Sequence, residues 1–205
     1  MSLAALLALV VDATASTMQI GSNFNYVNSN FEGSDGINLG AGSITPTYID
    51  GNLLPYLYCV QIEVDINVPG TYSVAITNNG EIFGTPINNA GEVAYLLNTY
   101  APTATTVDQQ GALQAAIWKT IYGSNYDITS NNPADMLTDY NTYMTNVGTD
   151  PVSTVEWISP SNGDGSHAQG LITSAVPEPS AIFLAAVAGV IGVARSRIRP
   201  KNTSA

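Results

Sequence analysis

Tyr58-Cys59-Val60-Gln61-Ile62-Glu63-Val64-Asp65-Ile66-Asn67 alternates along its whole length, with Val60, Ile62, Val64 and Ile66 on one side and Gln61, Glu63, Asp65 and Asn67 on the other. A period of two marks a half-buried strand. Val68-Pro69-Gly70-Thr71 follows, with Pro and Gly at the central positions of a type II turn, and Tyr72, Val74 and Ile76 resume the alternation. The spacing predicts an antiparallel hairpin. Beyond it the period changes. Val93, Leu96, Leu97 and Tyr100 have helical spacing within 92–100, and residues 108–122 repeat it more strongly, with Asp108 as N-cap and Gly123 just past the end. A third helix is predicted over 133–147, with Met136, Leu137, Tyr140 and Met144 on one side. Residues 152–158 and 171–176 return to strand, while 16–42 read as short strands and turns. Strands, then helices, then strands indicate α+β: an antiparallel β-sandwich-like domain with an inserted helical cap.

The chain has 205 residues, enough for one domain of roughly 150 residues plus targeting segments. Apolar residues make up 45% and charged residues 10%, so a core can be built and charge-driven disorder is disfavoured. The net charge is −11, and Arg195, Arg197, Arg199 and Lys201 leave Lys119 as the one basic residue of the first 194. That distribution excludes a phosphate-neutralising surface, and with it nucleic acid as a partner. One cysteine and one histidine exclude disulfide frameworks, multi-thiolate zinc sites and any centre needing two imidazoles, so no metal or cofactor is expected.

Both ends carry addresses. Residues 1–15 hold an apolar run, Leu3 to Val11, followed by Ala13-Thr14-Ala15, a small-x-small site for cleavage after Ala15. Residues 176–205 run Val176-Pro177-Glu178-Pro179-Ser180, then the apolar stretch 181–194, then the Arg-rich end. Fourteen residues of helix span about 21 Å, short of the roughly 30 Å hydrocarbon core, and the cations behind them obey the positive-inside rule. The order of Pro177-Glu178-Pro179, short transmembrane helix and Arg195, Arg197 and Arg199 resembles the PEP-CTERM sorting signal of exopolysaccharide-producing Gram-negative bacteria. That resemblance implies an inner-membrane intermediate, processing by an exosortase near Pro-Glu-Pro, and release to the cell surface or extracellular matrix. Residues 16–175 remain as the working domain.

Within that domain two residues are out of place for a purely structural role. An odd cysteine in an exported protein is buried, paired with another molecule, or used chemically, and strand parity puts Cys59 with Gln61, Glu63 and Asp65 rather than with the core face. Gln114 lies beside the Leu113, Ile117 and Ile121 stripe, one turn before Trp118, where an unsatisfied amide costs about 1 to 3 kcal/mol. Attack of the thiol on the glutamine carbonyl, with loss of ammonia, would consume both groups in an intramolecular thioester.

Tyr58-Cys59-Val60, Ala94-Tyr95-Leu96-Leu97-Asn98 and Gln114-Ala115-Ala116-Ile117-Trp118 resemble the thioester domains of bacterial surface adhesins over roughly residues 50–125. The resemblance implies Cys59 as the thiol, Gln114 as the acyl donor, and Tyr58 and Trp118 as pocket residues. Position 113 is Leu where those adhesins carry Thr. The function implied is a surface or biofilm-matrix adhesin that acylates a nucleophile on an exopolysaccharide or surface protein once, and so is not a turnover enzyme. The competing reading is a non-covalent structural or carbohydrate-binding matrix protein, ice-binding-like proteins included, with a structural Cys59. Other candidates are weaker: His167 in a Gly/Ser loop, Asp164 for calcium, Glu63 and Asp65 as charges on a solvent face, and Lys119 as an exposed cation.

Overall fold

The computed structural model describes residues 16–175. In chain order the elements are β1 (Ser16–Phe31), β2 (Ser34–Ile49), β3 (Asn52–Leu53), β4 (Tyr58–Cys59), β5 (Gly70–Thr77), β6 (Glu81–Ile82), β7 (Thr85–Pro86), α1 (Ala90–Tyr100), α2 (Val107–Tyr122), β8 (Tyr126–Ile128), α3 (Ala134–Thr145), β9 (Val155–Ser161) and β10 (Leu171–Ser174). The class is α+β, with antiparallel pairing throughout and three helices inserted between the strand runs.

Residues 16–42 form no set of short strands. They belong to a long hairpin of two 16-residue strands, closed by Glu32 and Gly33, both at positive φ (49° and 83°) as a mirror-image type I turn requires. Near its open end the register slips between Ile20 and Asn23, where Pro46 of β2 has no N–H to give. Gly21 is obligatory there, because a Cβ would lie 2.6 Å from Pro46 Cδ.

One main sheet is built rather than the two facing sheets of a sandwich. Its order is β3-β2-β1-β5-β9-β10-β4, with β8 paired to the far end of β1. The sheet curls: the Ile44 N–H of β2 donates to the Leu57 carbonyl just before β4 (2.9 Å), bringing the last strand back toward the second. α2 packs against α1, α3, β1, β2 and β8, and apart from the half-buried Lys119 it is buried from Gly111 to Ile121. It is a core helix with little solvent face.

The hairpin expected over 58–76 is corrected. β4 stops at Cys59 and pairs β10, while β5 pairs β1 and β9. Residues 60–69 run between them without a strand partner, Val68–Pro69 is cis, and Gly70 opens β5 without the positive φ of a type II turn. Exposure still alternates from Ile62 to Asn67. The period of two therefore reported an extended segment with one side on the core, and its backbone is satisfied elsewhere: Val60 N–H donates to Gly170 O, Ile62 N–H to Tyr122 Oη, and Gln169 N–H to Asp65 O.

The helices lie close to their expected ranges. The cap of α2 is Thr106, two residues before Asp108: Thr106 Oγ1 accepts from the Gln109 N–H (3.2 Å), and Gln109 Oε1 accepts from the Thr106 N–H, closing a capping box. Gly123 ends the helix at φ 58°. In α3 Tyr143 is buried, whereas Leu137 and Met144 are only half-buried. A short 3-10 turn at Val152–Thr154 precedes β9, where strand was expected from 152. Among the described residues no helix is long and apolar enough to cross a membrane. The signal peptide expected over 1–15 and the sorting segment expected over 176–205, with Pro177, Glu178, Pro179, Arg195, Arg197 and Arg199, lie outside the described residues.

Candidate functional site

β4 delivers Cys59 and the middle of α2 delivers Gln114, and the two meet in the interior. Gln114 Oε1 accepts from the Cys59 N–H (2.9 Å), and Gln114 Nε2 donates to the Cys59 carbonyl (2.7 Å). Because a peptide N–H can only donate and a carbonyl can only accept, this pairing fixes which end of the amide is oxygen. The carboxamide is fully buried and fully gripped. Residues 55 apart in sequence are thus joined as a strand neighbour would be, α2 supplying a side chain where a ladder would supply backbone.

Strand parity had placed Cys59 on a polar face, and this is corrected. Tyr58, Cys59 and Val60 are all buried, since β4 is covered on both sides and the alternation ends with it. The Cys59 thiol donates to Gln169 Oε1 (3.1 Å), and burial pushes its pKa up to about 12. Gln169 is held in turn, its Nε2 donating to the Gln61 carbonyl, while Gln61 Oε1 accepts from the Gly170 N–H (2.8 Å).

A pocket of about 230 Å³ opens onto Cys59. Phe24 and Tyr26 of β1 form one wall in an edge-to-face pair (5.4 Å), Ile62, Ile66 and Val68 of the unpaired segment form another, Gln169 lies against the cysteine, and Trp118 completes the lining from α2. Trp118 is buried, and its indole N–H has no partner. Tyr58 is not among the lining residues. Neighbouring strand residues face opposite ways, and Tyr58 packs beside Tyr56 (ring centroids 6.2 Å). Its hydroxyl is buried without a partner.

Asp65, read from sequence as a solvent-face charge, lines the pocket. Glu63 instead accepts from Tyr122 Oη (2.6 Å). Lys119 is no free surface cation: its ammonium donates to Tyr126 O (2.8 Å) and pairs with Asp127 (3.0 Å). Asp164 closes a turn onto Ser166, and His167 stacks on Phe83 (3.7 Å). Among the described residues no group of three or more His, Cys, Asp or Glu could hold a metal ion.

Sequence reasoning missed Gln169. It sits in a Gly/Ser-rich loop, 110 residues from Cys59, and nothing local distinguishes it from a linker residue. It also missed the wall from β1 and the one from Leu39, Ala41 and Ile44 of β2, because the length of those strands was not visible.

Chemically, the grip on Gln114 does two things. It holds the amide plane fixed beside the thiol's own residue, and it aims a backbone N–H at the oxygen on which charge would develop if the amide carbon were attacked.

No family model matches the chain, and no curated protein matches it. Among solved structures, the N-terminal thioester domain of a surface protein from Clostridium perfringens is similar over 79% of this chain and 99% of that one, at 11% identity and a TM-score of 0.48.

Proposed function

We propose that Cys59 and Gln114 form an internal thioester with which an exported surface protein acylates a nucleophile on a partner. The observation that carries this reading is the two-bond grip of Gln114 on the peptide of Cys59. Cys59 sulfur bonds to the Gln114 amide carbon, the C–N bond breaks, and the thiol proton leaves with the nitrogen as ammonia. The Cys59 N–H faces the oxygen of the tetrahedral intermediate, and the Cys59 carbonyl faces the departing nitrogen. Burial then protects the product, since water in the site would hydrolyse it.

Opening by a partner nucleophile restores the Cys59 thiol and leaves the partner bonded to Gln114. Each molecule acts once, so this is a covalent hook rather than a turnover enzyme. The partner is an exopolysaccharide or surface-protein nucleophile, and the tail at 176–205 is the address, cut by an exosortase between inner membrane and matrix. A second reading has two observations in its favour. The raised pKa and the donation to Gln169 suit a neutral structural thiol in a non-covalent matrix protein.

Intact mass separates the two. The thioester makes the protein lighter by one ammonia, methylamine replaces that loss with an adduct at Gln114, and Cys59→Ala abolishes both. An unmodified mass, with Cys59 alkylated only after unfolding, favours the structural thiol.

A further inference from the structure

The pocket over Cys59 is apolar on most sides, and among the described residues Asp65 is the only charged one in its lining. Of the other polar groups there, the Trp118 indole N–H has no partner but can only donate a hydrogen bond, and Gln169 is engaged at both ends. Gln169 holds the Cys59 thiol with one end of its amide and Gln61 with the other. A sugar hydroxyl attacking an acyl carbon needs a base at that carbon, and the group beside the Cys59 thiol is the Gln169 amide, neutral and already engaged, rather than the Asp65 carboxylate. An alkylamine needs none in place once it has lost its extra proton, and its methylenes suit the walls of Phe24, Tyr26, Ile62 and Val68. The charge of the whole domain favours the same class. Residues 16–175 carry fourteen acidic side chains and one basic one, Lys119, which is already paired. A field of that sign concentrates cations around the molecule.

We propose that Asp65 is a specificity-determining residue of this pocket, recruiting a primary alkylammonium as the nucleophile that opens the Cys59–Gln114 bond. This rests on the thioester reading above. The ammonium pairs with the Asp65 carboxylate at the pocket and gives its extra proton to solvent. The neutral amine then attacks the acyl carbon, the C–S bond breaks, an amide forms on the Gln114 side chain, and the remaining displaced proton ends on Cys59 sulfur. Asp65 raises the occupancy of the amine without touching the acyl carbon.

Two small nucleophiles of similar size test this on the full chain: methylamine, a cation at neutral pH, and hydroxylamine, which is uncharged there. Loss of the thioester is followed by intact mass in the natural protein and in Asp65→Asn, an isosteric change at an exposed side chain. The variant is expected to slow methylamine by about three- to fivefold and to leave hydroxylamine within about 1.5-fold, as loss of one exposed ion pair implies. Added salt should slow methylamine on the natural protein toward the variant's rate. Equal slowing of both nucleophiles, or of neither, overturns the role of Asp65 while leaving the thioester standing. If hydroxylamine reacts with neither protein and the mass is unmodified, the thioester reading has failed and the role of Asp65 falls with it.

Discussion

Gln114 and Cys59 are joined through the backbone of one and the side chain of the other, so the two obvious substitutions are not equivalent. Gln114→Ala strips partners from the Cys59 N–H and carbonyl and leaves a hole inside a helix with no solvent to fill it. Each buried group left unsatisfied costs about 1 to 3 kcal/mol, so a loss of about 3 to 5 kcal/mol is expected. Measured against the uncrosslinked natural chain, Cys59→Ala keeps both bonds and removes one small buried group, at about 1 to 2 kcal/mol. Urea unfolding of the two variants checks the order, and a Gln114→Ala protein as stable as Cys59→Ala would mean that the grip contributes little. The thiol of uncrosslinked protein follows from its burial as well. With a pKa pushed up to about 12, little thiolate exists at neutral pH, so Cys59 is a poor target for alkylation until the fold opens. Of this site, Cys59, Gln114 and Trp118 were legible because each breaks a local rule or extends a stripe. Gln169 and Asp65 were not: one sits in a loop of unremarkable composition, and the other obeys an alternation that a solvent face would also produce.

The loop from Asn162 to Gly170 is the element on which the pocket depends. Its end holds the unpaired segment through Val60 N–H to Gly170 O, Gly170 N–H to Gln61 Oε1, and Gln169 to both Cys59 and Gln61. Gly170 has no room for a side chain. An added Cβ would lie 2.5 Å from the buried Ile82 Cγ2 and 2.8 Å from Gln61 Oε1. Gly170→Ala is therefore expected to displace Gln61 and Gln169 together, costing about 1 to 3 kcal/mol as overpacking does. Under the proposed function it should also speed hydrolysis of the thioester, read as an earlier gain of one water, with a free thiol at Cys59 and a carboxylate in place of the Gln114 amide. Unchanged stability and unchanged hydrolysis would show that the loop does not seal the site. At this scale the helices were readable because a 3.6 period, a capping residue and a terminal glycine agree within one segment. The hairpin was misread for the opposite reason. Alternation records which side of an extended chain meets the core, and it is silent on whether the backbone bonds to a strand, a loop or a tyrosine hydroxyl. Only the distant loop and Tyr122 decide that here.

Over the whole molecule, tyrosines tie the helices to the sheet and strand ends. Tyr126 of β8 meets Trp118 of α2 edge-on (5.7 Å), and its hydroxyl is hydrogen-bonded to Ser29 Oγ of β1 (2.9 Å). Tyr122 of α2 donates to Glu63, and Tyr140 of α3 donates to Asp127 (3.2 Å). Burial is the first cause that raises the pKa of Tyr58, Tyr122, Tyr126, Tyr140 and Tyr143 above the usual 10.0, with Tyr143 pushed up to about 12 and the others higher. For Tyr122 and Tyr140 the anionic partner adds to it, because a phenolate facing Glu63 or Asp127 would lose its donated bond and repel the carboxylate. Below pH 10 both folded and unfolded chains keep these protons, and stability is insensitive to them. Above it the unfolded chain releases protons that the folded chain retains, so stability falls as pH rises, by about 1.4 kcal/mol per pH unit for each tyrosine held fully protonated. A domain with a net charge of −13 over residues 16–175 gains further self-repulsion in the same direction. The thermal midpoint should therefore hold roughly level up to pH 9 and drop steeply between about pH 10 and 12. Phenolate absorbance from the buried tyrosines should appear together with the loss of circular dichroism. Full phenolate absorbance in a chain that keeps its circular dichroism would mean that these hydroxyls are not sealed in the core, and the tyrosine ties could not then be what holds the helices to the sheet.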